Sequence, residues 1–505
     1  MRFSFTLLLS LVAAVGPLRG SPQLRDSDEV PRRVRPVRAR IRGCVVHCDD
    51  WSQFSHVSEA TQISTDTVSR LRVLWRVPTP ETVEGSPLFV ERVATPRGTH
   101  NLLIVSTSAG RLIALDATSG NELWSATPPE GPRWTTSSPA LDPGRTLVYV
   151  YGLDGYVHRH AVSTGREIVG GGWPQLITLK GEVEKGSSAI SIATTPGGEH
   201  YLYMTTAGYP EPGDAGDYQG HLVAINLDTG TQRVFNSACS DQDIHFLQNG
   251  DQSHDCPVAQ GGIWARAGAV YDDETNRVYV TTGNGLFDAD RGGFNWASSV
   301  VALAPDGSSD GGTPADSYTP SNYQELNDED LDPSSTAVAP LMLSPTSHAP
   351  PLGVQGGKDG KLRLLDLSNL SRQGGPRNLG GELQMFSLPQ TGWIVTRPVV
   401  WLEGDRSFVA VSNDQGISAF ALEEGDGSPH LVVAWTTLLG CQSPVYANGL
   451  LFCAQSGRLS AFSAQTGEHL WSDSNIAGIH WQSPIIVGNH LYIADSSGIT
   501  AYTLR

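Results

Sequence analysis

Lysine and methionine are both scarce in this 505-residue chain, with four of each. After the apolar run from Phe3 to Val15 no stretch is long enough to cross a membrane as a helix. Positive charge is also short. Thirty-four Lys and Arg face 52 Asp and Glu, and the net charge of −18 argues against a nucleic-acid partner, which needs a basic surface. No Cys-x-x-Cys-His occurs, so the chain attaches no c-type haem covalently, and no Cys-Cys dipeptide occurs either. What abounds is the vocabulary of turns and β-strands: 55 glycines, 32 prolines and 12 tryptophans.

These residues are organised as a repeat. Gly110-Arg111-Leu112-Ile113-Ala114-Leu115-Asp116, followed by Thr118-Ser119-Gly120 and Leu123-Trp124, recurs as Gly457-Arg458-Leu459-Ser460-Ala461-Phe462, Thr466-Gly467 and Leu470-Trp471. Weaker copies begin at Gly155, Gly220, Ser299, Gly360, Gly416 and Gly498, each a tight turn feeding a strand of alternating apolar residues. Repeats spaced by about 40 residues or more, with several short strands in each, are the mark of propeller blades. The first complete unit reads as strands a to d over residues 86–90, 102–106, 111–116 and 121–125. The last supplies only three strands, over 483–487, 491–494 and 499–504. Residues 71–77 have the look of a fourth strand and precede the first complete unit. The chain is therefore expected to be all-β: one monomeric eight-bladed propeller of four-stranded antiparallel blades, closed by its own N-terminal strand, because closure removes exposed edges. Trp75 should then pack beside the blade that contains Tyr492. Trp75, Trp124, Trp435 and Trp471 recur on outer strands and are expected to pack blade against blade.

The first 20 residues read as a signal peptide: Arg2, then an apolar segment too short to span a bilayer. Residues 21–50 form a basic arm with Arg32, Arg33, Arg35, Arg38, Arg40 and Arg42, read as a solvated linker. Residues 51–505 make the propeller. Export to the periplasm or exterior agrees with six cysteines, which suggest disulfides. Cys239 and Cys256 share one long inter-blade loop and are expected to be joined. Cys44 with Cys48 would close a very small ring. Cys441 and Cys453 flank an Asn448-Gly449 hairpin and could pair only with a bend near Pro444.

Function concentrates where a rigid scaffold carries elaborated loops. The longest irregular segments are residues 207–219, 237–262, 283–297 and 321–334. As b-to-c or d-to-a connections they all crowd one mouth of the central channel.

Thr281-Thr282-Gly283-Asn284-Gly285, with Asn295-Trp296-Ala297-Ser298-Ser299-Val300-Val301-Ala302-Leu303, resembles the hallmark segment of the pyrroloquinoline quinone (PQQ) dependent alcohol dehydrogenases. Asp50-Trp51-Ser52-Gln53-Phe54 and Val83-Glu84-Gly85-Ser86-Pro87-Leu88 are similar to that family's opening pattern. The resemblance implies PQQ and Ca²⁺ as cofactors, a small alcohol or polyol as substrate, and an external electron acceptor. It also implies roles. Asn284 matches an asparagine ligand of the calcium ion, although it equally suits the turn of a Gly-Asn-Gly bend. The family's glutamate ligand falls at or near Ala215, with Asp214, Asp217 and Glu211 as substitutes close by. Asp332 matches the catalytic base, yet it stands in an acidic run with Asp328, Glu329 and Asp330 that also reads as solvated surface. Lys358, in Gly357-Lys358-Asp359-Gly360, matches a cation placed against the quinone oxygens, or is an ordinary turn residue. Trp264 stands near the tryptophan on which the flat quinone lies, and His480-Trp481 opens the last blade at the same mouth. In place of the adjacent-cysteine disulfide that covers the other quinone face stands Thr136-Ser137-Ser138-Pro139. The alternative to a quinoprotein dehydrogenase is a non-catalytic propeller whose mouth binds a protein or glycan.

Overall fold

The glycine that opens each repeat turns the chain into a strand of alternating apolar residues, and eight sheets result. The computed structural model describes residues 61–209, 216–247, 254–425 and 428–504. Seven of the sheets have four antiparallel strands, and the remaining one has its inner strand broken in two. The first blade runs Leu88–Thr95, Gly98–Ser106, Leu112–Asp116 and Glu122–Ala126. The third strand is the repeat's core sentence. Leu112, Ala114 and Leu115 on it are almost wholly buried, because each blade is covered on both faces by its neighbours.

The recurrent tryptophan and the recurrent glycine turn, Ser119-Gly120, Thr164-Gly165 or Thr466-Gly467, are two halves of one contact. Trp75, Trp124 and Trp435 donate their indole N–H groups to the carbonyls of Ala117, Val162 and Ala464 at 3.1, 2.9 and 2.9 Å. Each ring lies over the turn glycine of the following blade. A Cβ on Gly120 would come 2.9 Å from the Trp75 ring, and one on Gly165 or Gly467 would come 2.4 Å from Trp124 or Trp435. Trp471 packs edge-on against Tyr502 in the eighth blade, with ring centroids 5.4 Å apart.

Closure follows the expectation. The eighth blade contains Ile485–Val487, His490–Asp495 and Gly498–Leu504, and its outer strand is Leu71–Pro78. Leu71 lies opposite Leu504 and Pro78 opposite Gly498, and Trp75 packs 6.1 Å from Tyr492.

Two disulfides lie among the described residues. Cys239–Cys256 is formed as expected, with Cα atoms 6.0 Å apart. Its loop does carry a small core, in which Phe246 is buried with Ala238 and Cys256. Cys441–Cys453 is also formed. The required bend is present: the pairing of the two strands slips between Gln442 and Val445, and Ser443 adopts a φ of 49°. The segments read as signal peptide and basic arm, with Cys44 and Cys48, lie outside the described residues.

In the third blade the inner strand is split into Glu184–Gly186 and Ser191–Thr194. Between them the N–H groups of Ala189 and Ile190 donate to the carbonyls of Arg266 and Ser138, at 2.8 and 3.1 Å. Neighbouring connections thus satisfy backbone that would otherwise join the blade's own ladder.

Candidate functional site at the channel mouth

The fourth blade delivers Asn284. Its second strand, Arg277–Thr281, runs into Gly283, whose N–H donates to the Gly262 carbonyl at 2.8 Å. A Cβ on Gly283 would stand 2.6 Å from Asp332 Oδ1 and 2.7 Å from Ser334 Oγ, so only glycine lets the connection into the fifth blade come this close. That approach lets the Asn284 N–H donate to Asp332 Oδ1 at 2.8 Å, while Asn284 Nδ2 donates to Asp330 Oδ1 at 2.8 Å. The fifth blade adds Lys358 from the turn between Leu352–Gly356 and Lys361–Asp366. Its Nζ lies 2.6 Å from Asp332 Oδ2 and 3.5 Å from Asp330 Oδ2. Asn284 and Lys358, both assigned by resemblance, therefore each contact Asp332, the third.

The Asp332 side chain is 8% exposed. Burial pushes its carboxyl above the ordinary carboxylate range, with the Lys358 ammonium and the Asn284 N–H pulling the other way. Burial would lower Lys358, but Asp332 and Asp330 more than offset it and hold the ammonium above its usual value. Trp264 is half-buried on the connection into the fourth blade, packed so closely that a Cβ on Gly262 would lie 2.8 Å from its indole nitrogen. Tyr218 meets it edge-on, with centroids 6.0 Å apart. The Tyr218 phenol is raised by burial and then by the charges of Asp332 and Asp330.

The other candidates are placed differently. Asp217 pairs with Lys180, whose Nζ lies 3.2 Å from Asp217 Oδ2 and 3.6 Å from Asp255 Oδ1, and the Lys180 side chain has no exposed surface. Asp217, through Lys180, thus ties its loop to the disulfide-bonded one. Asp214 and Glu211 lie outside the described residues. Asp330, Tyr218 and Lys180 were not singled out from sequence. Asp330 was hidden in an acidic run whose composition signals only a solvated loop.

A calcium–quinone pair needs hard oxygens, a flat apolar face and a cation for quinone oxygens. Asn284 Oδ1 is buried without a hydrogen-bond partner, while the residue's N–H and Nδ2 are held by Asp332 and Asp330. Trp264 supplies the face and Lys358 the cation, so the residues present fit the group in kind. Among the described residues no cluster of three or more His, Cys, Asp or Glu side chains is arranged for a metal. The oxygen set at the mouth counts two carboxylates and one amide.

Residues 49–308 match the family model of the glucose/ethanol/alcohol dehydrogenase β-propeller domain, and residues 378–505 match that of the outer membrane protein assembly factor BamB. A quinohemoprotein alcohol dehydrogenase of Comamonas testosteroni is 24% identical over 326 residues, which cover 59% of this chain and 43% of the relative. The chain thus matches less than half the length of that protein. The solved structure of quinohemoprotein alcohol dehydrogenase from Comamonas testosteroni aligns with a TM-score of 0.59 at 17% identity, covering 90% of this chain and 80% of the other. A europium-containing methanol dehydrogenase aligns at 0.61 and 16%, covering 90% and 98%. At such identities the structural likeness speaks for the fold. The match over residues 49–308 takes in more than half of the sequence, and the chain belongs to the β-propeller domain family of the glucose, ethanol and alcohol dehydrogenases.

Proposed function

We propose that this chain is an exported quinoprotein oxidoreductase that oxidises a small alcohol or polyol and passes the electrons to an external acceptor. The observation that carries the reading is that Asn284, whose amide oxygen is buried without a partner, and Lys358 both contact Asp332. PQQ held with Ca²⁺ would supply the two-electron acceptor for the alcohol's hydride. Asn284 Oδ1 and the Asp330 carboxylate would ligate the cation, Trp264 would hold the flat ring, and Lys358 would place positive charge at its oxygens. Asp332 would take the hydroxyl proton at a carboxylate oxygen. Burial raises its basicity for that task, and the Asn284 N–H bond to Oδ1 fixes its orientation.

The test is reconstitution. Protein given PQQ and Ca²⁺ should gain quinone absorbance and reduce an artificial acceptor when an alcohol is added. If calorimetry detects no binding of PQQ at high micromolar concentration with Ca²⁺ present, the enzyme reading fails and a binding scaffold takes its place.

A further inference from the structure

Gln260, Gly261 and Gly262 lie on the connection between the outer strand of the third blade, Gln232–Asn236, and the inner strand of the fourth, Val270–Asp272. They run between two turns of the mouth and pair with both. The Gln260 N–H donates to the Tyr218 carbonyl at 2.6 Å, and the Gln260 carbonyl accepts from the Gly220 N–H at 3.3 Å. One residue on, the Gly261 N–H donates to the Asn284 carbonyl at 2.6 Å, and the Gly262 carbonyl accepts from the Gly283 N–H at 2.8 Å. The backbone of Asn284 is thus held by a segment that belongs to neither its strand nor its turn. The fit is close: a Cβ on Gly261, whose φ is 71°, would stand 2.5 Å from Ser237 Oγ, and one on Gly220 would stand 2.1 Å from the Gly261 carbonyl oxygen.

So short a ladder does not hold itself. A backbone hydrogen bond contributes, net, no more than ordering one residue costs, so the segment that leads into it needs fixing from elsewhere. Two fixings are present. Cys256 is bonded to Cys239, and the Cys239 N–H donates to Asn295 Oδ1 at 3.1 Å, on the returning limb of the Asn284 connection. The second is the wholly buried Lys180, on the connection from the second blade to the third. Its Nζ lies 3.6 Å from Asp255 Oδ1, 3.2 Å from Asp217 Oδ2 and 3.0 Å from the Asp217 carbonyl, and it donates to Gln219 Oε1. Gln219 Nε2 in turn donates to the Val258 carbonyl at 2.8 Å. A buried ammonium must keep its acceptors, so the turn of Tyr218 and the segment behind Cys256 are drawn onto one charge.

We propose that residues 255–262 are a positioning strap for Asn284, fixed by the Cys239–Cys256 bond and by Lys180, and that the affinity of the mouth for its cation depends on those two fixings. The inference rests on the reading of Asn284 Oδ1 as a calcium ligand and adds what sets that oxygen in place. Lys180 and the two cysteines are positioning residues: they act through the backbone of Asn284, as the outer partners of a metal ligand do.

Two strap variants, Cys239→Ser with Cys256→Ser and Lys180→Met, are compared with the wild-type protein and with Cys441→Ser/Cys453→Ser, which removes a disulfide from the seventh blade instead. Lys180→Met leaves no carboxylate stranded, because the Asp217 and Asp255 side chains are 25% and 18% exposed, and it decides the matter should the first variant fail to fold. Hydrogen exchange of the ligand-free protein reads the backbone. Peptides containing residues 260–262 and 283–285 should exchange roughly tenfold faster or more in the strap variants and at the wild-type rate in the seventh-blade control. Calorimetry with Ca²⁺ in the presence of PQQ reads the ligand. Affinity for Ca²⁺ should fall roughly tenfold or more in the strap variants alone, and excess Ca²⁺ should restore the quinone absorbance. Unchanged exchange at 283–285 in the strap variants, wild-type Ca²⁺ affinity in them, or an equal loss in the control each overturns the strap and leaves the quinone reading standing. A wild-type protein that binds no Ca²⁺ with PQQ present overturns the quinone reading, and the exchange rates then decide by themselves whether the strap holds Asn284.

Discussion

Asp332 and Lys358 are in contact, but they are assigned different tasks, and substitution can separate them. Lys358→Ala should weaken quinone binding, whereas Asp332→Asn should spare binding and remove turnover, because one residue serves the ligand's charge and the other the substrate's proton. Binding by calorimetry and single-turnover rates on the same preparations check this, and equal loss of both properties in both variants would contradict it. The ionised Asp332 is the active form, so the rate should fall as pH drops through its raised value, at a higher pH than an exposed aspartate would give. The resemblance pointed to Asn284, Asp332, Lys358 and Trp264 because each sits in a short local pattern. Asp217 was a candidate only as a neighbour of the ligand position, and its pairing with Lys180, like the contacts of Arg266, carried no local signal. The partners of both come from connections that lie far away in the chain, Lys180 for Asp217 and Thr136 and His480 for Arg266, and local pattern does not encode those meetings.

The strands were legible because the signal that makes them is local: period-two apolar residues after a glycine turn. Where the element depends on distant contacts the sequence was silent. The acidic segment read as an open connection contains the helix Tyr323–Asp328, and the third blade's inner strand breaks where its N–H groups are taken by other connections. The tryptophan-on-glycine contact makes a direct prediction. Gly165 adopts a φ of 70° and an added Cβ would meet Trp124 at 2.4 Å. Gly165→Ala should therefore destabilise the protein by about 1–3 kcal/mol in urea unfolding, the cost of overpacking a filled site, and an unchanged midpoint would refute the contact's importance. A second element is held by charge. In the second blade the His158 ring lies 3.1 Å from Asp154 Oδ1 and 2.7 Å from Glu167 Oε1. Burial lowers its pKa, but the two carboxylates outweigh burial and leave it raised. Such a group contributes stability fully below the unfolded value of about 6.5, and the contribution is lost as pH rises through the folded value. The melting difference between wild type and His158→Gln should be largest near pH 5.5 to 6, as a rough guide, and shrink as pH rises. A difference that grows with pH would have the wrong sign.

At the scale of the whole molecule, stability depends on one joint. Among the described residues, Leu71–Pro78 is the one strand of the eighth blade that comes from the other end of the sequence, and it is fixed from both sides. It pairs along its length with Gly498–Leu504, and Arg76 Nη2 contacts Asp473 Oδ2 of the seventh blade at 2.8 Å. Ile63, Val68 and Leu71 are buried with residues of the seventh and eighth blades. Removing residues 61–78 should expose the edge of Gly498–Leu504, uncover that cluster and drive the protein into aggregates, because an unpaired edge is a template for further strands. Connectivity itself should matter little. Thr61 contacts the carbonyl of Gly488 and Leu504 that of Asn489, so the two ends of the joint approach the same turn. A chain that begins at residue 79 and carries residues 61–78 behind Leu504 through a short Gly/Ser linker should regain a monomeric, cooperatively melting protein. Light scattering after size exclusion and a thermal scan test both arms. If the deletion stays monomeric with the wild-type melting temperature, or if the permuted chain aggregates as the deletion does, strand closure is not what holds the ring.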